Sequence, residues 1–146
     1  MNRTVWATVI TDASFCDKTK KAGWACWIRI DGIDHPIKRY GSFKEKVRKS
    51  TDAEQMAAVN GIFIAMKHGA NAFLLQSDCM MVVHLIDGTT KSRDVIDAWN
   101  RKIARAGVLG MPIRAKHVRG HTRTRDARSY VNRWCDEKAN IARKQA

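Results

Sequence analysis

The sequence has no long apolar run, no paired cysteines and few acids, and each of these shortages excludes a class of protein. No apolar run approaches the ~18 residues that a helix needs to cross a bilayer. The first residues lead into a strand-like segment rather than a signal peptide. We therefore expect a soluble, cytoplasmic protein with no membrane partner.

Cysteine is present, but not in a pattern typical of a metal site. Cys16, Cys26, Cys79 and Cys135 lack the paired spacing of zinc sites and redox motifs, so we expect four reduced, partly buried thiols. The 146 residues are 45% hydrophobic and show no shift in composition that would mark a linker. We predict one domain, covering residues 1–146, with a single sizeable core.

Acidic residues number 14 against 27 lysines and arginines, which gives a formal charge of +13 and a pI near 10.1. Such an excess indicates a polyanionic partner. A membrane surface would match the sign of the charge, but no segment combines a large apolar face with a basic one as an interfacial helix does. Nucleic acid is therefore the favoured partner.

The first apolar run, residues 5–14, is rich in β-branched residues and is typical of a strand that is buried on both faces. It carries Asp12 where the chain must turn. Asp12 could serve only to start that turn, and later acids decide between this interpretation and a functional one. The Asp31-Gly32 dipeptide predicts a hairpin, in which residues 33–43 return as an antiparallel edge strand marked by Pro36.

A helix is predicted to begin at residues 51–54 and to end at Gly69, with a face of small residues suited to close packing on a sheet. Glu54 lies at the head of that face. Thr51 and Glu54 also have the spacing of a capping box, in which the glutamate bonds the backbone at the start of the helix. A capping role and a functional role therefore both stay open for Glu54.

A second buried strand, residues 72–78, ends on Asp78 and precedes a short helix at residues 80–86. Asp78 could simply cap that helix. The order of strand, crossover and strand favours parallel pairing with the first strand, and functional sites form at the carboxyl ends of parallel strands. We therefore expect Asp12 and Asp78 to be neighbours.

The remaining elements are a helix that ends at Gly107, a fifth strand at residues 113–118 and a final helix. A loop rich in arginine follows the fifth strand and is suited to phosphate contacts. It contains His121, Arg123 and Arg125. In the final helix Asn132 and Asp136 are four residues apart and share a face, although Asp136 could equally be an ordinary surface charge.

The order of these motifs resembles the ribonuclease H family, in particular type I members without the basic protrusion, over nearly the whole chain. The matching stretches are Thr11-Asp12-Ala13-Ser14, Gly23-Trp24-Ala25, Glu54-Gln55-Met56-Ala57-Ala58, Ser77-Asp78, Val118-Arg119-Gly120-His121 and residues 132–136. No single stretch is specific, but their order is. The resemblance implies an α/β ribonuclease H-like fold, a five-stranded mixed sheet with three antiparallel and two parallel strands, flanked by helices.

The resemblance also implies an enzyme, a metal-dependent endonuclease that hydrolyses the RNA strand of RNA/DNA hybrids and leaves 3′-hydroxyl and 5′-phosphate ends. Its two Mg²⁺ ions, for which Mn²⁺ could substitute, need a surplus of hard oxygen ligands. By resemblance Asp12 bridges both ions, and Asp136 holds the one that activates water. Glu54 and Asp78 complete the coordination of the other ion. His121 would assist release of the product phosphate.

Contacts to the hybrid are assigned to residues near these acids and in the arginine-rich loop: Ala13, Ser14, Ser50, Thr51, Arg123, Arg125 and Asn132. The chain departs from the family pattern in three places. Residues 17–21 replace a glycine-rich loop, residues 50–52 replace asparagines that read ribose 2′-hydroxyls, and the tryptophan-rich protrusion is absent between residues 86 and 95. We expect a monomer without a small-molecule cofactor.

Two other functions stay open at this point. One is a nuclease of the same fold that cuts DNA, such as a junction resolvase, which the helix glutamate and the histidine loop disfavour. The other is a basic nucleic-acid-binding module without catalytic activity. The presence of all four acids argues against that module.

The charge of +13 generates a first prediction. Because phosphate contacts govern binding, affinity for nucleic acid should fall linearly when the logarithm of the binding constant is plotted against that of the salt concentration. Replacing Arg123 and Arg125 with glutamine should lower this slope by up to about two units, one for each lost phosphate contact. A fluorescence anisotropy titration across salt concentrations measures the slope, and a flat response would contradict the prediction.

Overall fold

The computed structural model describes residues 3–119 and 127–146. The predicted phosphate-binding residues and product-release residue of the arginine-rich loop, Arg123, Arg125 and His121, lie outside the described residues. The elements in chain order are β1 (Trp6–Phe15), β2 (Ala22–Ile30), β3 (Ile37–Ser42), α1 (Ser50–Lys67), β4 (Ala72–Ser77), α2 (Met80–Asp87), α3 (Arg93–Arg105), β5 (Ile113–His117) and α4 (Ala127–Lys144). In these ranges no helix has the length and apolar character needed to cross a bilayer.

The sheet has the strand order β3-β2-β1-β4-β5, so β1 is central. β1, β2 and β3 pair antiparallel, whereas β4 pairs parallel to β1 and β5 pairs parallel to β4. The predicted five-stranded mixed sheet is therefore confirmed. β1 is central because its middle residues are apolar and β-branched, which suits a strand with neighbours on both sides and helices on both faces.

The predicted hairpin forms, but β3 is shorter than the sequence indicated. Gly32 adopts a positive φ of 88°, which the turn requires and glycine tolerates. β3 begins at Ile37 rather than at residue 33. Pro36 directly precedes it and has no backbone N–H to donate to a ladder, so regular pairing starts only after the proline. The predicted edge position of this strand is confirmed.

Helices cover both faces of the sheet. The main core lies between the sheet and α1, α2 and α3 and includes Val9, Ile28, Ile62, Phe73 and Leu75. α1 approaches closely because Gly61 lies over β1, where a Cβ atom would come within 2.7 Å of the Thr11 and Val9 side chains. A smaller core on the opposite face joins α4 to β1 and β2 and contains Ile10, Ala25, Val131, Cys135 and Ala139.

The start of α1 differs from the sequence interpretation. Lys49 occupies the N-cap position, and no side chain caps the helix there. The capping box proposed for Thr51 and Glu54 is therefore wrong. The helix begins two residues earlier than a Thr51 cap requires, which places Thr51 inside the first turn, and the Glu54 carboxylate bonds a backbone amide of β1 instead.

The four cysteines are free, as expected. Cys26 and Cys135 are buried in the cores on opposite faces of the sheet, and Cys16 and Cys79 are partly exposed.

Candidate metal centre

Three carboxylates meet at one edge of the sheet. Asp12 comes from β1, Glu54 from the first turns of α1, and Asp78 from the residue after β4. Each offers an oxygen atom within 4.8 Å of the oxygens of the other two. The geometry follows from the pairing, because β1 and β4 are parallel neighbours and their carboxyl ends lie at the same edge. Asp12 and Asp78 are thus adjacent, as the parallel pairing predicts.

One backbone amide holds two of these carboxylates in position. The N–H of Ala13 donates to Asp12 Oδ1 at 2.9 Å and to Glu54 Oε1 at 2.8 Å. The second bond crosses from β1 to α1 and fixes the glutamate over the end of the strand. Ala13 was predicted to contact the hybrid through its backbone, but in this structure its amide serves the carboxylates.

The carboxylates are poorly solvated and repel one another. Burial, followed by the negative charges of Asp78 and Asp136, raises the pKa of Asp12 to about 8. Burial, followed by the charges of Asp12 and Asp78, raises the pKa of Glu54 to about 9. The Ala13 amide acts in the opposite direction on both groups but is the weaker effect. The metal-free site therefore holds protons at neutral pH.

A fourth acid approaches the group from α4. Asp136 lies close enough to Asp12 for its charge to raise the pKa of that residue. It lines a cavity of about 40 Å³, whose walls are Thr11, Asp12, Asp78, Val118, Asn132, Arg133, Cys135 and Asp136. Within the described part of the chain, Asp136 is not one of the three acids whose oxygens lie within 4.8 Å of each other. Asp12 and Asp78 therefore belong both to the group of three with Glu54 and to the cavity lining with Asp136.

This donor set fits hard divalent cations. Carboxylate oxygens are the ligands that Mg²⁺ and Mn²⁺ prefer in proteins, and Mg²⁺ commonly binds through a few carboxylates while retaining waters. The 40 Å³ cavity leaves room for water beside the acids. A bound cation would also relieve the repulsion that raises the two pKa values.

The predicted substrate contacts fall into different surroundings. The Ser14 hydroxyl donates to Asn140 Oδ1 at 2.5 Å and accepts from Arg143 Nε at 2.7 Å. It therefore already makes two hydrogen bonds to side chains of α4. Ser50 is exposed at the start of α1, and Thr51 is half-buried beside it. Asn132 lines the small cavity together with Asp136. The structure thus brings Asn132 to the acids and leaves Ser50 and Thr51 at the neighbouring surface.

Sequence reasoning missed two features near the acids. His117, the last residue of β5, lies with Nε2 3.3 Å from the carbonyl oxygen of Asp78. His117 pairs with Ser77 in the parallel β4–β5 pair, next to Asp78. Predicting that register from the sequence would have placed it near the acids. Arg133 lines the cavity beside Asn132, and its place in the final helix, between two residues already singled out, was the corresponding signal.

A broad groove of about 550 Å³ lies beside the first turns of α1. Its cationic lining residues are Lys46, Arg48, Lys49 and Lys102, and its acidic ones are Glu45, Asp52 and Asp94. Lys102 reaches in from α3 and donates to Gln55 Oε1 at 3.4 Å, and burial lowers its pKa. The connector before α1 and the basic face of α3 therefore form one surface, which ends at the turn that carries Glu54.

Comparison with known proteins identifies a matching family and many structures of the same fold. The sequence profile of a family described as reverse transcriptase-like matches residues 10–106. That segment includes Asp12, Glu54 and Asp78 but ends before Asp136. No curated protein sequence matches the chain significantly.

Solved structures match nearly the full chain. The N-terminal ribonuclease H domain of a Mycobacterium tuberculosis protein, fused to maltose-binding protein, has a TM-score of 0.72 at 18% identity and covers 97% of this chain and 96% of its own. Ribonuclease H1 from Halobacterium salinarum has a TM-score of 0.69 at 18% identity, with 97% and 99% covered. LC11 ribonuclease H1 in complex with an RNA/DNA hybrid also has 0.69 at 18%, with 95% and 97% covered. The predicted ribonuclease H-like fold is confirmed.

The raised pKa values generate a prediction for stability without metal. The pKa of Asp12 rises from its ordinary value near 3.8 to about 8 on folding, so the folded protein is more stable when this carboxyl is protonated. Its contribution to stability is therefore full below about pH 4 and is lost as the pH rises toward 8. In the presence of a chelator, the free energy of unfolding should fall between about pH 4 and 9, from the ordinary pKa values of Asp12 and Glu54 to their raised values. Asp12→Asn should recover on the order of 1 kcal/mol or more of this loss.

Urea denaturation at several pH values measures this effect, and Asp97→Asn is the matched control. Asp97 is an exposed acid on α3, away from the three carboxylates. Its amide variant tests the effect of removing one negative charge from the surface. Equal pH profiles for the parent and Asp12→Asn would show that neither burial nor repulsion raises the pKa of Asp12 in the folded protein.

Proposed function

We propose that this chain, which belongs to the reverse transcriptase-like family and has a ribonuclease H-like fold, is a ribonuclease H that cleaves the RNA strand of RNA/DNA hybrids with two bound Mg²⁺ ions. Cleavage would leave 3′-hydroxyl and 5′-phosphate ends. The observation that carries the proposal is the convergence of Asp12, Glu54 and Asp78 within 4.8 Å, with Asp136 across a small cavity. A structure of the same fold, LC11 ribonuclease H1, is a complex with an RNA/DNA hybrid.

Under this proposal the four acids would hold two cations. Asp12 is central and would be shared, with Glu54 and Asp78 completing one position and Asp136 the other. Bound divalent cations stabilise charge on the leaving oxygen and lower the pKa of an attacking water. Mn²⁺ has compatible ligand preferences and could replace Mg²⁺. Because Asp12 and Glu54 hold protons at neutral pH, cation binding would release them and strengthen as the pH rises.

The charge distribution supports a nucleic acid substrate. The groove lined by Lys46, Arg48, Lys49 and Lys102 lies against the turn of α1 that carries Glu54. A phosphate backbone lying in this groove would pass beside the acids. The formal charge of +13 favours such an encounter at long range.

Selection of RNA over DNA would depend on contacts to the ribose 2′-hydroxyl. The Ser14 hydroxyl bonds Asn140 and Arg143, which leaves it less suited to that task than the sequence indicated. Ser50 is exposed at the start of α1, in the same stretch as Glu54. We assign the main side-chain contact with the 2′-hydroxyl to Ser50, with further contacts to the hybrid from Thr51 and Asn132. The product-release role of His121 remains a prediction.

A cleavage assay with labelled substrates tests the activity. With Mg²⁺, the parent chain should cut an RNA/DNA hybrid well above duplex RNA, duplex DNA or a DNA junction. Asp12→Asn should abolish cleavage, because it removes the ligand shared by both cation positions, and hybrid binding should survive. Asp97→Asn, the exposed α3 control, should cut at the parental rate.

Two results of this assay would contradict the proposal. Parental turnover by Asp12→Asn would show that the acids do not hold the catalytic cations. Comparable cutting of duplex DNA by the parent chain would favour the DNA nuclease, and no cutting of any substrate would favour the binding module.

The assignment of Ser50 gives a separate prediction. Ser50→Ala should reduce the preference for hybrid over duplex DNA by the ~0.5–1.5 kcal/mol of one ordinary hydrogen bond. Ser92→Ala, at the N-cap of α3 where the side chain makes no cap bond, is a matched control and should leave the preference unchanged. The ratio of cleavage rates on the two substrates measures the effect. An unchanged ratio for Ser50→Ala would place RNA recognition elsewhere.

A further inference from the structure

Four aromatic rings form a continuous strip beside α4. The strip consists of Trp27 on β2, Tyr40 on β3, and Tyr130 and Trp134 on α4. The centroid of Trp27 lies 6.0 Å from that of Tyr130 and 5.5 Å from that of Trp134, and Trp134 lies 6.2 Å from Tyr40. All three contacts are edge-to-face. The strip lies over β2 and β3, whereas the cavity with the acids lies on the β1 and β4 side of the same helix.

Two lysines stand over these rings. Lys38 Nζ is 4.9 Å from the centroid of Trp27 and 6.0 Å from that of Trp134, and Lys138 Nζ is 5.4 Å from that of Tyr40. Lys38 pairs with Trp27 across the strands, so both project from the same face of the sheet. Glu137 is an exposed acid next to Lys138 in α4. The strip therefore combines aromatic faces with flexible cations.

Packing in the core accounts for the two tryptophans of the strip but not for the two tyrosines. Trp27 and Trp134 pack against the small core beneath α4 and are half-buried. Tyr40 and Tyr130 extend beyond it, with 47% and 55% of their surface exposed. Exposed rings can stack on bases, and the cations beside them can contact phosphates. Proteins that bind single strands without sequence preference use this combination. A duplex hides its base faces, so it would not use such a strip.

We propose that this strip, with Lys38 and Lys138, binds single-stranded nucleic acid, in particular an unpaired tail that continues from a bound hybrid. The continuation rests on the proposed function. In the sheet, Asp12, Ala25 and Tyr40 lie directly opposite one another on adjacent strands. Tyr40 is therefore about 10 Å from Asp12 along the sheet, two strand spacings. Trp134 is two positions along α4 from both Asn132 and Asp136 and lies on the side of the helix that faces β2 and β3, so a strand that leaves the cavity and crosses α4 reaches the rings on the other side.

Binding in the presence of chelator tests the proposal without cleavage. The probes are a blunt RNA/DNA hybrid, the same hybrid with an unpaired thymidine tail, and the tail alone. The parent chain should bind the tailed hybrid more tightly than the blunt one. The double variant Tyr40→Ala, Tyr130→Ala should lose this gain. It should bind the tail alone more weakly by at least the roughly 5- to 150-fold that corresponds to losing one stacked base.

Phe63→Ala is the matched control. Phe63 is an exposed ring, 40% accessible, with Lys67 Nζ 5.9 Å from its centroid, but it lies on α1 outside the strip. Its variant should keep the full gain from the tail. Replacing Lys38 and Lys138 with glutamine should lower the slope of the salt dependence of tail binding by up to about 1.4 units, about 0.7 for each phosphate contact with a single strand. The slope for the blunt hybrid should stay unchanged.

Each other outcome overturns the proposal. Equal affinity of the parent chain for blunt and tailed hybrids would show that no single strand is bound. A gain that survives in the tyrosine double variant would place the single strand elsewhere, and equal losses on blunt and tailed hybrids would mean that the strip contacts the duplex. Cleavage of blunt hybrid by the parent chain separately tests the proposed function. If that cleavage fails, binding of the tail alone still decides the role of the strip.

Discussion

The rest of the structure must hold a group of buried carboxylates that repel one another, and this is its main physical constraint. Three acids share one edge of the sheet, and burial together with their mutual charge raises the pKa of two of them to about 8 and 9. The Ala13 amide, donating to both Asp12 and Glu54, is the local interaction that opposes this repulsion. Such a cluster persists only if the surrounding fold holds it. The central position of β1 and the close approach of α1 at Gly61 supply that support.

α4 connects the acids to a second surface. One side of this helix carries Asn132 and Asp136 into the small cavity, and another side carries Tyr130 and Trp134 over β2 and β3. Its buried stripe, which includes Cys135 with Sγ 3.9 Å from the carbonyl oxygen of Ile10, fixes both surfaces relative to β1. A shift of α4 would therefore move the fourth acid and the aromatic strip together.

The features that could be predicted from the sequence are those that follow from where strands end and from the spacing of apolar residues. Asp12 and Asp78 follow buried runs, so parallel pairing was enough to place them together. The cap of α1 could not be predicted, because the choice between Thr51 and Lys49 depends on where the connector leaves β3, and Glu54 found a partner on β1 that no local spacing shows. The bonds of Ser14 to α4 are likewise long-range, joining residues more than a hundred positions apart.

The protonation of the acids also connects metal binding with nucleic acid binding. A phosphate approaching four ionised carboxylates would be repelled, even on a chain with a formal charge of +13. With the pKa values of Asp12 and Glu54 raised, the metal-free site carries less negative charge at neutral pH, so under the proposed function the lysines and arginine of the groove beside α1 would attract a phosphate backbone without cations. In the proposed function, cations would take the place of the protons, and their positive charge would hold the phosphate at the acids. The same burial that destabilises the metal-free site would therefore reduce the repulsion that a phosphate backbone meets before cations bind.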